Sequence, residues 1–396
     1  MKHPKTKFNV ILFCLLLVLF VFIGIIAPKD DSAAEKENRT LATMPDLTQE
    51  SLFSGSFSRD FENYLADNVG FRSFFMNFSS RLQSLKGFKP KSGKMVSTAK
   101  DLGTGVQGEN QLLLLSDRVM EVFHKNPDAK TAYAEALNHY AEILPEDVRL
   151  INMLIPTQIE FYEGQSVSAS EKETIDAIYN SLHTRIVTVP VYEELDSHND
   201  EYIYFRTDHH WTQRGAFYGY SAFNRAAGFS EPNINDYEIH SREGFLGYLY
   251  NQAKDPTLAK HADTIEYFVK GKNLTVSAKA MENGTLTSYA SKLFSLPSES
   301  EIPKYGIFMG GDHPFAEITT ENKNGKTLLV MKDSYANTLI PFLTEQYETV
   351  LVIDPRNFYS TVTALTEEYK IDDILIVNYV FTTTFSDFIE KMVAIS

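Results

Sequence analysis

The stretch "TLLVMKDSYANTLIPFLTEQYETVLVID", residues 327–354, decides the fold. It holds a short apolar run, a segment of helix length and a second short apolar run. Runs this short and this continuously apolar read as strands buried on both faces. Two such strands joined by a crossover helix lie parallel. The same rhythm continues downstream as "STVTALTEEY" and "DDILIVNY". Upstream, "PDAKTAYAEALNHYAEIL" precedes "DVRLINMLIP", and "EKETIDAIYNSLH" leads to "RIVTVPV". These residues predict a three-layer α/β/α domain around a parallel sheet over residues 111–396. Residues 235–325 break the rhythm. They are richer in Gly, Tyr, Thr and Ser, have no helical period, and read as an insertion of loops and short strands.

The N-terminus carries a different signal. Lys2, Lys5 and Lys7 precede "FNVILFCLLLVLFVFIGIIA", residues 8–27, an uncharged run long enough to cross a bilayer as a helix. Lysines before the run and mostly acidic charge after it predict a cytoplasmic tail at 1–7, a single-pass anchor in the cell membrane at 8–27, and an extracytoplasmic remainder. A cleaved signal peptide, with Ser32-Ala33-Ala34 as its cleavage site, is the competing reading. The run is longer than such peptides need, which favours the anchor. Residues 28–110 read as a polar linker, one or two amphipathic helices in "LFSGSFSRDFENYLADNVGFRSFFMNFSSRLQ", and a Gly/Lys/Ser-rich loop.

Composition narrows the function. A formal charge of −15 over 396 residues argues against nucleic acid as a partner. The single cysteine, Cys14, rules out an intramolecular disulfide framework and a multi-cysteine zinc site. No cofactor is implied, and no metal site is assigned.

In a parallel α/β sheet, functional groups collect where strands end and loops lead into helices. Ser334 sits there, after "TLLVMKD". A serine so placed is a candidate nucleophile, although helix capping explains a serine at that position equally well. The second stretch is "YIYFRTDHHWTQRGAFYGY", residues 202–220. If the apolar run continues as a strand to Asp208, then Asp208 and His210 share one face and His209 and Trp211 the other. Asp208 then orients His210 as a base, and His209 serves packing or substrate fit. Read alone, the patch equally suits a metal, with Asp312 and His313 of "GGDHPF" as further ligands.

Taken together, "TDHHWTQRGAFYGY", "KDSYANTLIPFL" and "VIDPR" resemble the DHHW family of bacterial extracytoplasmic proteins. That family is similar to the SGNH-hydrolase-like domains of alginate O-acetyltransferase proteins. "ENRTLATMPDL" and "SGSFSRDFENYLADNVGFRS" are similar to the segment that precedes those domains. The resemblance implies an SGNH-type domain with Asp208 as orienting acid, His210 as base and Ser334 as nucleophile. Lys332-Asp333-Ser334 replaces the Gly-Asp-Ser of SGNH hydrolases, so the second oxyanion donor is open. Gly310, Gly311 and Asn378 are candidates, and Arg356 can hold an acidic substrate or a structural carboxylate.

The implied activity is acyl transfer, acetyl foremost, to or from carbohydrate hydroxyls of a polymer through an acyl-serine. A multispanning membrane acyltransferase would supply the acyl group. Residue chemistry leaves transferase and acetylesterase open. A metal-dependent phosphoesterase and a non-catalytic envelope scaffold that binds glycan are the alternatives.

Overall fold

The computed structural model describes residues 43–48, scattered helical positions between 51 and 64, and 93–396 except 102–106, 163–166, 254 and 283. The expected tail at 1–7, the anchor at 8–27 and nearly all of the 28–110 segment up to residue 92 lie outside the described residues; its last part, read as a Gly/Lys/Ser-rich loop, instead forms strands at Lys94–Asp101 and from Gln107 onward. Among the described residues no helix is long and apolar enough to cross a membrane. Residues 92–253 and 258–396 form one compact unit.

In chain order the strands of this unit are β1 (Lys94–Asp101), β2 (Gln107–Leu114), β3 (Val119–Glu121), β4 (Arg149–Ile155), β5 (Ile186–Thr188), β6 (Glu238–Phe245), β7 (Asp263–Val269), β8 (Thr275–Glu282), β9 (Thr285–Lys292), β10 (Phe315–Thr319), β11 (Thr327–Lys332), β12 (Thr349–Ile353) and β13 (Asp373–Tyr379). The main sheet has eight of them, ordered β5-β4-β13-β11-β12-β10-β8-β9. From β5 to β12 every pairing is parallel. From β12 onward every pairing is antiparallel.

The sheet is therefore mixed, which corrects the expectation of a parallel one. The antiparallel strands β8, β9 and β10 all come from the segment read as an insertion. A tight link such as the one at Gly284, between β8 and β9, can only join antiparallel neighbours. The same segment contributes the two-stranded ribbon β6–β7. Strands β1, β2 and β3 form a separate antiparallel sheet.

The alternation of side chains along the parallel strands divides the core in two. Leu328 and Val330 of β11, with Val350 and Val352 of β12, join one apolar cluster; Leu329, Met331, Leu351 and Ile353 join the other. The first cluster takes the helix Gln213–Ala227, through Ala216, Phe217, Tyr220 and Phe223. The second takes the helices Pro127–Ile143, Val362–Glu368 and Ser386–Ala394. Burial on both faces is why these strands read as unbroken apolar runs.

Candidate active site

The β11 strand ends at Lys332, and Asp333 caps a 3₁₀ turn over Ser334–Thr338 by accepting the Tyr335 N–H at 3.0 Å. The cap of this turn is thus Asp333, and Ser334 is left to another partner. Its Oγ lies 2.8 Å from His210 Nε2, and His210 Nδ1 lies 2.6 Å from Asp208 Oδ1. The structure brings together the three residues singled out for nucleophile, base and orienting acid.

The backbone does so by a route other than the expected strand. Residues 206–210 form a run of bends, closed by a bridge between Tyr204 and Trp211 and by the Phe205 N–H donating to the His210 carbonyl at 3.2 Å. Asp208 Oδ1 also accepts the His210 backbone N–H at 3.0 Å, an Asx-type turn that fixes the carboxylate and the imidazole to each other. His210 rather than His209 meets the serine because of this local turn, not because of strand alternation.

Four further groups hold the loop. The carboxylate of buried Asp263 accepts the backbone N–H groups of Arg206 and Thr207, each at 2.8 Å, and the Thr207 and Tyr202 hydroxyls. Asp208 Oδ2 accepts the Tyr248 N–H at 2.8 Å. At Gly247 an added Cβ would sit 2.3 Å from Asp208 Cβ, so only glycine lets this backbone approach the acid. The buried Trp211 indole donates to the Tyr335 carbonyl at 2.8 Å, which ties the histidine loop to the nucleophile turn. Gly247, Tyr248 and Asp263 were not legible as site residues. They lie in the insertion without a motif, and the one hint is the close Gly-Tyr pair in "FLGYLY".

Electrostatics suit a neutral base beside an ionised acid. Burial pushes the Asp208 carboxyl up, but the adjacent His210 and His209 and the hydrogen bonds to it outweigh burial and hold it well below the usual carboxylate range. Burial, reinforced by His209, lowers His210 to about 4 against the pull of Asp208. At neutral pH the imidazole is therefore neutral. With Nδ1–H donated to the carboxylate, Nε2 is the acceptor for the serine proton.

Of the remaining candidates, Asn378, Arg356 and the Gly311 N–H are engaged elsewhere. Asn378 donates to Asp333 Oδ2 at 3.1 Å and accepts the Tyr133 hydroxyl at 3.0 Å. Arg356 grips Asp354 through Nε and Nη2 and reaches Asp312 at 3.0 Å, so the carboxylates it holds are structural ones. Gly310 and Gly311 form a turn with φ of 81° and 108°. Gly311 donates its N–H to the Phe308 carbonyl at 3.1 Å, and a Cβ on Gly310 would collide with Ser291.

Asp208, His209 and His210 place donor atoms within 4.8 Å of one another, the spacing of a metal site. Asp208 Oδ1 and His210 Nδ1 are however bound to each other, and His210 Nε2 to Ser334. The extra ligands do not converge there: Asp312 pairs with Lys332 and Arg356, and His313 bonds the Met309 carbonyl and the Tyr289 hydroxyl.

No curated protein matches the chain. Among solved structures, a DHHW family protein from Eubacterium siraeum is similar at 27% identity, covering 75% of this chain and 97% of that one, with a TM-score of 0.62. Bacillus cereus PatB1 is similar at 19% identity and a TM-score of 0.59, covering 70% of this chain and 99% of that one. PatB1 with a sulfonyl adduct gives a TM-score of 0.60 at the same identity, covering 70% and 98%. The family model described as "DHHW protein" matches residues 94–353, which include the histidine loop, the nucleophile turn and the insertion between them. The chain belongs to the DHHW family.

Proposed function

We propose that the protein moves an acyl group, acetyl foremost, onto or off a carbohydrate hydroxyl through an ester on Ser334. One observation carries this reading: Ser334 Oγ sits 2.8 Å from the free nitrogen of an imidazole whose other nitrogen is held by a buried aspartate. His210 Nε2 takes the Ser334 proton as Oγ attacks the acyl carbonyl. The Tyr335 N–H is engaged by Asp333, which leaves the Ser334 N–H as the first backbone donor for the oxyanion. The imidazolium then protonates the departing group. An incoming hydroxyl, from water or a sugar, gives its proton to His210 as its oxygen attacks the acyl carbon, and His210 hands that proton to Ser334 Oγ as the acyl–Oγ bond breaks.

A carbohydrate acceptor is supported by the resemblance of the DHHW motifs to alginate O-acetyltransferase domains. Half-buried His209, Tyr248 and Tyr379 also present rings beside the triad, with His209 5.5 Å from Tyr248 and 6.1 Å from Tyr379. The apolar run at 8–27 behind three lysines supports an extracytoplasmic domain on a membrane anchor, served by a multispanning acyl donor. A C-terminal tag should then be digested by protease added to spheroplasts, and protection of the tag until lysis would refute that placement.

The test of the chemistry is Ser334→Ala. It should remove hydrolysis of p-nitrophenyl acetate with little change in melting temperature, because Asp333 and not Ser334 caps the turn. A serine serving as the cap would instead cost about 1 kcal/mol of stability on replacement. Retained hydrolysis in the alanine variant would overturn the proposal.

A further inference from the structure

Catalytic histidines need more than a carboxylate at one nitrogen. The hydrogen bond from Nδ1 to Asp208 fixes one end of the ring but leaves it free to rock about that bond, and a small rotation moves Nε2 off the serine. In this protein both faces of the His210 imidazole are covered by rings. The Tyr305 ring lies parallel to it, 3.6 Å between centroids with 8° between planes. The His209 ring lies on it at 3.9 Å, tilted by 33°.

Tyr305 is itself fixed. It opens the 3₁₀ turn Tyr305–Ile307, its ring meets Phe308 and Phe205 edge-on at 5.6 Å and 6.5 Å, and its hydroxyl donates to the Ser334 carbonyl at 2.8 Å. A hydroxyl engaged by the backbone of the nucleophile is not available to donate to a substrate oxygen. Its effect is to tie the ring that covers the base to the residue the base must serve.

We infer that Tyr305 is a positioning residue: with His209 opposite, it clamps the His210 imidazole between two faces, and through its hydroxyl it sets the distance from base to nucleophile. This rests on the reading of Ser334, His210 and Asp208 as the reacting groups. The ring and the hydroxyl then have separable effects. Tyr305→Phe keeps the stack and loses the tie to Ser334; Tyr305→Leu loses both.

The experiment measures p-nitrophenyl acetate hydrolysis, Ser334 labelling by a fluorophosphonate, and the downfield proton NMR signal of His210 Nδ1–H, in wild type and in both variants. The clamp predicts a loss of roughly 100-fold in kcat for Tyr305→Leu, with KM changed far less and labelling slowed in parallel. Tyr305→Phe should lose no more than roughly 10-fold. The downfield signal should persist in wild type and Tyr305→Phe and broaden or vanish in Tyr305→Leu. Equal losses in the two variants, or a Tyr305→Leu enzyme within threefold of wild type, would overturn the clamp. Should Tyr305→Leu not fold, His209→Leu removes the opposite face and must lower kcat and broaden the same signal; an unchanged signal refutes the inference. A wild type that neither labels nor hydrolyses would sink the functional reading instead, and the NMR comparison would still decide the clamp.

Discussion

The two halves of the main sheet do different work. The parallel half, β5 to β12, is built from unbroken apolar strands and leads into the Ser334 turn, which Asp333 caps through the Tyr335 N–H. The antiparallel half and the ribbon beside it come from residues 238–319 and carry Gly247, Tyr248, Asp263 and Tyr305, which place the base. On the proposed chemistry, Ser334 is set by the scaffold and His210 by the insertion. Alignment of base and nucleophile therefore depends on contacts between two regions of unlike regularity, among them the Tyr305 hydroxyl on the Ser334 carbonyl.

Substitutions within the triad should have the largest effects. His210→Ala should reduce ester hydrolysis by about 10³-fold or more, as Ser334→Ala does, and Asp208→Asn by a comparable order. The double variant His210→Ala/Ser334→Ala should be little worse than either single, since the two act as a unit. Near-multiplicative losses would mean that the two residues act separately.

Gly247→Ala sharpens the comparison, because it changes the insertion alone. An added methyl 2.3 Å from Asp208 Cβ must displace the carboxylate or the 247–250 segment. A displacement of that kind should cost on the order of 10²-fold in kcat while the parallel core keeps its melting behaviour. Wild-type kinetics in this variant would show that the insertion does not set the base.

The pH dependence is milder. His210 is lowered to about 4 in the folded protein against 6.5 as its ordinary value. The base should be neutral, and kcat/KM flat, from about pH 6 upward, with activity falling as pH drops through about 4. The unfolded chain takes up a proton below about 6.5 where the folded one does not, so this histidine's contribution to stability is present above that pH and lost as pH falls toward 4. A kcat/KM profile with its acid limb at 6.5 would contradict the burial argument. Smallest of all, His209→Ala should lower hydrolysis by no more than roughly 10-fold, since it removes one covering ring but no reacting group.

Much of the parallel half was legible in the sequence, because burial on both faces forces continuous apolar strands such as "TLLVM" and "DILIV". Asp208, His210 and Ser334 were legible as residue types at the right places. The reason given for His210 over His209 was not the one the chain uses: an aspartate turn at 206–210 replaces strand alternation, and an Asx turn leaves no periodic trace. Short strands are expected in the insertion, but not their joining the main sheet antiparallel, because exposed strands such as β9 lack an apolar run that would mark them as part of it. Tyr305 and Asp263 act through contacts distant in sequence, 95 and 56 positions from the residues they hold, and no local pattern marks them.

The central claim is that Ser334 is a nucleophile activated by His210. The most direct measurement treats the purified protein with a fluorophosphonate and maps the adduct by peptide mass spectrometry, in wild type and in His210→Ala. A single adduct on Ser334 in wild type, lost or greatly slowed in His210→Ala, is the predicted result. No adduct, an adduct on another residue, or equal labelling of Ser334 in both proteins would contradict it.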